Sequence, residues 1–113
     1  MITIYHNPMC SKSRECLLQL EKLDIPFATT KYLNEPLTKP ELKDLIKKLD
    51  IKPIELVRQK EPLWIEKFKD KRLTGGKIID ALVKYPELIE RPIVVNGDKA
   101  VIARPMERIN EIL

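Results

Sequence analysis

Two cysteines in 113 residues are too few, and too irregularly spaced, for a disulfide framework or a zinc site. No apolar run approaches the length that crosses a bilayer, and the amino terminus shows no leader pattern. These absences argue against membrane insertion and export, and a reducing cytoplasm is the expected compartment. Repeats and low-complexity stretches are missing. Gly75-Gly76-Lys77 lacks both the spacing and the Ser or Thr of a phosphate loop, so it reads as the start of a helix. The formal charge is +4, but the lysines alternate with Glu and Asp in segments such as Glu41 to Asp50 and Glu66 to Arg72. That is the pattern of a solvated, ion-paired surface, not of a nucleic-acid face. The surplus charge still suits an acidic small substrate or an acidic partner.

What is present is one domain's worth of periodic elements. Strand patterns fall at 2–5, 27–32, 93–95 and 100–103. The last two flank Asn96-Gly97-Asp98, whose Asn and Gly tolerate the positive φ of a hairpin turn. Helical patterns fall at 11–23, 38–49, about 53–60, about 62–69, 75–84 and 105–112. Thr38-Lys39-Pro40-Glu41 has the form of a capping box with a proline in the first turn, and Pro105 opens the last helix. Trp64 and Phe68, at i and i+4, are assigned to the core of the middle stretch. The order is β-α-β, a helical stretch from about 34 to 90, then a hairpin and a final helix. Without the middle stretch this resembles a thioredoxin-like (glutaredoxin-like) α/β core. Residues 1–33 and 91–113 would form its mixed four-stranded sheet, with the helical insertion between the second and third strands. Such folds carry a cis-proline before the third strand, facing the active thiol, and Pro92 is expected to be that residue.

Cys10 stands where the first strand gives way, through the turn His6-Asn7-Pro8-Met9, to the amphipathic helix beginning at Ser11. A thiol there faces unpaired backbone N–H groups and the positive end of the helix dipole. It should ionise more easily than a free cysteine, and the thiolate is the reactive form. The same N–H groups can hold an oxyanion. Cys16 invites a dithiol reading, but six residues of helix rise roughly 9 Å, beyond the ~5.5–6 Å Cα separation that a disulfide favours. Cys16 also falls on the apolar stripe with Leu20 and Leu23. Ser13 occupies the position that would complete a C-x-x-C pair. The site is therefore monothiol, and an external thiol must resolve an oxidised Cys10. A dianionic oxyanion also calls for arginines, whose planar forks donate paired hydrogen bonds. Arg58, Arg91 and Arg104 stand out from the lysine-rich background. The latter two form Arg-Pro junctions at the ends of the hairpin.

At this point the chain resembles the arsenate reductase family of the glutathione- and glutaredoxin-coupled kind. The matching pieces run the length of the sequence. They are His6-Asn7-Pro8-x-Cys10-x-x-Ser13-Arg14, Tyr32-Leu33 with Pro36, Leu56-Val57-Arg58, Glu90-Arg91-Pro92-Ile93-Val94-Val95 and Arg104-Pro105. The resemblance implies Cys10 as nucleophile, His6 as an aid to thiolate formation, and Arg58, Arg91 and Arg104 as the oxyanion's ligands. It also implies a covalent thioarsenate intermediate, glutathione as co-substrate, glutaredoxin as partner, and no bound cofactor or metal. His6 reads equally as a turn residue capping local backbone. Arg14 either faces the site or pairs with a carboxylate such as Glu21, while Ser11 and Ser13 either cap the helix or donate to the anion. Ser11-Lys12 stands where the better-known reductases carry Gly-Thr, and Lys12 adds positive charge beside the thiol. Two other readings belong to the same superfamily. One is a regulator of the Spx type that binds RNA polymerase, although its C-x-x-C switch is missing here. The other is a monothiol glutaredoxin-like oxidoreductase, in which the arginines would hold glutathione carboxylates.

Overall fold

The computed structural model describes residues 2–7, 9–68 and 71–113. It divides into two compact units, one of Met1–Glu35 with Arg91–Leu113 and the other of Pro36–Glu90.

The first unit is built on a mixed sheet. Strands β1 (Ile2–Tyr5), β2 (Phe27–Thr30), β3 (Ile93–Asn96) and β4 (Lys99–Ile102) lie in the order β2-β1-β3-β4. β1 runs parallel to β2 and antiparallel to β3, and β3 runs antiparallel to β4. A parallel β1–β2 pair needs a crossover, and helix α1 (Ser11–Lys22) supplies it. Alternation in β1 buries Ile2 and Ile4 and leaves Thr3 and Tyr5 half-buried. On the buried side Ile2 and Ile4 join Cys16 and Leu20 of α1, Val94 and Val101 of the hairpin, and Ile109 and Ile112 near the carboxyl end. The hairpin closes with Asn96 opposite Lys99, so Gly97 and Asp98 form the loop; Gly97 takes φ +65°, a conformation that glycine adopts without a Cβ clash. The thioredoxin-like core and its four-stranded mixed sheet are as the element order implied. β2 stops at Thr30, and β4 is displaced by one residue from its expected range.

The second unit is helical. α2 (Lys39–Leu49) begins at the anticipated capping box, in which Thr38 Oγ1 accepts the Glu41 N–H at 3.3 Å and Glu41 Oε1 accepts the Thr38 N–H at 3.0 Å. α3 (Pro62–Lys67) and α4 (Gly75–Lys84) follow, the latter capped by Thr74, whose Oγ1 accepts the Lys77 N–H at 3.3 Å. Phe68 already leaves the helical region (φ −129°), and position 69, the expected end of α3, lies outside the described residues. The rings of Trp64 and Phe68 sit 5.2 Å apart, with Tyr85 edge-on to Phe68 at 6.0 Å, so they pack together within this unit.

Two expected helices are corrected. Residues 53–60 form only a 3-10 turn (Pro53–Leu56), because Val57 goes extended to bridge Ile89. The Arg58 N–H then reaches Leu88 O at 2.7 Å and the Glu90 N–H reaches Leu56 O at 2.8 Å. The carboxyl-terminal helix is 3-10 over Met106–Glu111, held by short-range bonds such as Arg108 N–H to Pro105 O. A further 3-10 turn, Pro86–Leu88, carried no distinct pattern. Among the described residues no helix is long and apolar enough to cross a membrane.

Candidate active site

One end of the sheet gathers the residues that matter. The carboxyl end of β1, the amino end of β3 and the carboxyl end of β4 coincide, since Tyr5 pairs with Ile93 and Ile93 with Ile102. The ladder continues past the strands, with the Ala103 N–H donating to Pro92 O at 2.9 Å. Whatever follows β1, precedes β3 or follows β4 is therefore brought to the same place. Those are the Cys10 turn, Arg91 and Arg104. The Arg91-Pro92 bond is cis, as expected for this fold, and so is Arg104-Pro105.

The turn before α1 is braced from both sides. His6 keeps its N–H on Thr30 O at 2.8 Å. Asn7 is buried; its Oδ1 accepts the Met9 N–H at 3.0 Å and its carbonyl accepts the Cys10 N–H at 3.0 Å. Ser13, fully buried one turn into α1, accepts the Asn7 N–H on its hydroxyl at 3.4 Å. Pro8, part of the expected turn, lies outside the described residues. Cys10 is the N-cap residue, with extended backbone and a carbonyl that accepts the Arg14 N–H at 3.1 Å. The first-turn N–H groups of Lys12 and Ser13 face its sulfur.

Cys10 is only 7 % exposed. Burial by itself pushes its thiol up. The Ser13 N–H, the Arg91 guanidinium's hydrogen bond, the Lys12 N–H and the Arg91 charge together outweigh that burial and bring the thiol from an ordinary 9.0 down to about 7. Arg104 approaches from β4, its Nη2 donating toward Sγ at 3.9 Å. Arg91 is half-buried, and its Nε is a buried donor with no hydrogen-bond partner among the described residues. A buried, unanswered guanidinium nitrogen beside a thiolate is a ready seat for an anion's oxygen.

The other expected site residues fall as follows. His6 is 6 % exposed and its Nδ1 meets no partner among the described residues. Burial first, then the charges of Lys31 and Arg14, lower its pKa, so the imidazole is neutral near pH 7. Arg14 is thus exposed yet felt at His6. Ser11 is exposed, and Lys12 pairs loosely with Glu15 at 3.7 Å. Arg58 belongs to the second unit, where Nη1 lies 3.3 Å from Glu61 Oε2 and 3.3 Å from Glu87 O. Cys16 is sealed in the core, and burial raises its thiol to about 11. Among the described residues, no three His, Cys, Asp or Glu side chains cluster to hold a metal ion. Asn7 braces the turn with both its side chain and its carbonyl, a role that the Asn-Pro step signals in the sequence.

A thioredoxin-like core with one thiol lowered to about 7, no C-x-x-C partner, and arginines just before β3 and just after β4 defines a class of monothiol thioredoxin-like proteins. Residues 5–112 match the model of the ArsC family, and the chain belongs to that family. It is 44% identical to YfgD of Escherichia coli K12, named as an uncharacterised protein, over 99% of this chain and 96% of that one. It is 42% identical to an arsenate reductase of Haemophilus influenzae, over 99% of this chain and 98% of that one. The solved structure of an arsenate reductase from Vibrio cholerae matches with a TM-score of 0.94 at 41% identity, covering 99% of this chain and 97% of that one.

Proposed function

We propose that this chain reduces arsenate to arsenite, with Cys10 as nucleophile and with glutathione and glutaredoxin as electron donors in a reducing cytoplasm. The observation that carries the reading is a thiol lowered to about 7 with Arg91 and Arg104 at its sulfur. Relatives that bear the name arsenate reductase support the choice of oxyanion.

Arsenate binds to the first-turn N–H groups of residues 11–13 and to Arg91 and Arg104, with Arg58 as the third arginine by family resemblance. Ser11, Lys12, Ser13 and Arg14 complete this cationic and donor-rich rim. His6 is assigned as an aid to thiolate formation by family resemblance, while the Ser13 and Lys12 N–H groups and Arg91 hold the thiolate. The thiolate attacks arsenic, an As–O bond breaks, and the departing oxygen leaves as water after protonation. A thioarsenate on Cys10 remains, with arsenic still pentavalent. The glutathione thiolate then attacks the Cys10 sulfur and a disulfide forms. The As–S electron pair stays with arsenic, which leaves as arsenite, two electrons richer. A glutaredoxin thiol attacks the glutathione sulfur of that disulfide and frees the Cys10 thiolate. Cys16, buried and at about 11, takes no part.

The test is a steady-state assay with arsenate, glutathione and glutaredoxin, leaving each out in turn. Arsenate-dependent turnover that requires glutathione and disappears in Cys10→Ala is the expected result. Reduction of a glutathione disulfide without any arsenate-dependent rate would instead favour the glutaredoxin-like reading, and capture of RNA polymerase without turnover the regulator.

A further inference from the structure

The segment Glu66 to Arg72 reads in the sequence as an ion-paired surface, but none of the ion pairs among the described residues takes a side chain from it. Lys67 and Lys71 instead line one cavity together with Lys77 and Lys84 of α4. The cavity measures about 500 Å³ and is formed wholly by the helical unit. That volume falls within the roughly 300–1,000 Å³ typical of small-ligand sites.

The charge around it is lopsided. None of the four ammonium groups meets a carboxylate within ion-pair distance among the described residues. Lys67 and Lys84 rest on the same ring, with Nζ 5.6 Å and 5.5 Å from the centre of Tyr85. A ring face is a weaker partner than a carboxylate or a phosphate, and two like charges at one ring repel. The acids on the cavity wall offset little of this. Asp80 Oδ1 is already held by Lys39 at 2.8 Å, which leaves Glu66 against the four cations. An anion entering here meets positive charge that the fold leaves unanswered.

The floor is apolar. Phe68, Leu73 and Ala81 line it beside Tyr85, and the Phe68 and Tyr85 rings stand edge-on at 6.0 Å. Phe68 is fixed in turn by Trp64, whose ring lies 5.2 Å away and is 5 % exposed. A bare inorganic anion gains nothing from such a floor. A flat ring does, through dispersion and edge contacts with the two aromatics.

We propose that this cavity is a binding site for a small polyanion that carries an aromatic ring, the chemistry of a nucleoside diphosphate. The phosphates lie among the four ammonium groups, and the base lies on the apolar floor beside Phe68. Binding draws Lys67 and Lys84 from the Tyr85 ring onto phosphate oxygens, where each makes a charge-assisted hydrogen bond. No covalent step is involved, and the site stands whether or not the chain reduces arsenate.

Trp64 is the chain's single tryptophan, so its fluorescence reports on the Phe68 side of the cavity. The test titrates the full chain with ADP, pyrophosphate and adenosine, read by that fluorescence and by backbone amide shifts. ADP should bind about tenfold or more tightly than either fragment, because only ADP uses both the lysines and the floor. Its shifts should concentrate at Phe68, Lys71, Ala81 and Tyr85, and added salt should weaken it, as screening of exposed charge requires. Lys71→Glu and Lys77→Glu should each weaken ADP roughly five- to tenfold. Both should leave the alkylation rate of Cys10 within about twofold of wild type, which shows that the chain is folded. No binding, equal affinity for ADP and pyrophosphate, shifts confined to the residues around Cys10, or undiminished binding by both variants overturns the proposal.

Discussion

Cys10 and Cys16 stand at the mouth and in the middle of the same helix, and the same side chain is driven in opposite directions there. Both are buried, 7 % and 0 % exposed, and burial alone raises both thiols. At the mouth, the Ser13 and Lys12 N–H groups and the Arg91 guanidinium reverse that effect and leave the thiol at about 7. In the middle every helix N–H is already spent on the preceding turn, the neighbours are Leu20, Ile4 and Val94, and the thiol stays at about 11. Reactivity here follows from which donors remain unpaired, not from how much of the sulfur meets water.

The contrast can be broken most severely by substitution. Cys10→Ser should take arsenate-dependent turnover below detection, whereas Cys16→Ser should keep kcat/KM within about twofold of wild type. Comparable loss in both would end the monothiol account. Alkylation gives the next largest effect. With Cys10 at about 7 against an ordinary 9.0, the thiolate fraction near neutral pH is roughly fifty times that of an unperturbed thiol. Iodoacetamide should therefore label Cys10 alone in the folded protein, with Cys16 becoming labelled on unfolding, as peptide mass analysis can record.

The donors themselves can then be removed. Arg91→Ala should raise the Cys10 pKa by about one unit and raise the KM for arsenate, and Arg104→Ala, more exposed and 3.9 Å away, should do less to the pKa. The smallest effect is on folding. Cys10's folded value lies below 9.0, so its contribution to stability is fully present above about pH 9 and is lost as pH falls through about 7. Cys16's lies above 9.0, so its contribution is fully present below about pH 9 and is lost as pH rises through about 11. Denaturant titrations should show wild type gaining on Cys10→Ser as pH rises from about 7 to about 9; a gap that narrows over that window contradicts the assignment. Cys16→Ser should cost about 1–2 kcal/mol near neutral pH from burying a hydroxyl in the core.

Much of this was legible in the chain because the signals are local. The strand Ile2–Tyr5, the capping box at Thr38 and the helix Gly75–Lys84 lie where their patterns put them. What failed was set at a distance. Val57 abandons a helical pattern to pair with Ile89, and no property of residues 53–60 announces a partner beyond α4. The sites divide in the same way. Cys10, Arg91 and Arg104 could be read together because a hairpin with Arg-Pro at each end must return both arginines to one edge of the sheet. Lys71 and Lys77 could not, since in sequence each is one more lysine on a charged surface, and only the fold puts them around one cavity.

The most direct test of an activated Cys10 is an ultraviolet thiolate titration of the Cys16→Ser variant, in which one thiol remains. An inflection near pH 7 is expected. An inflection at or above pH 9, the value of a thiol with no help from its surroundings, would contradict it.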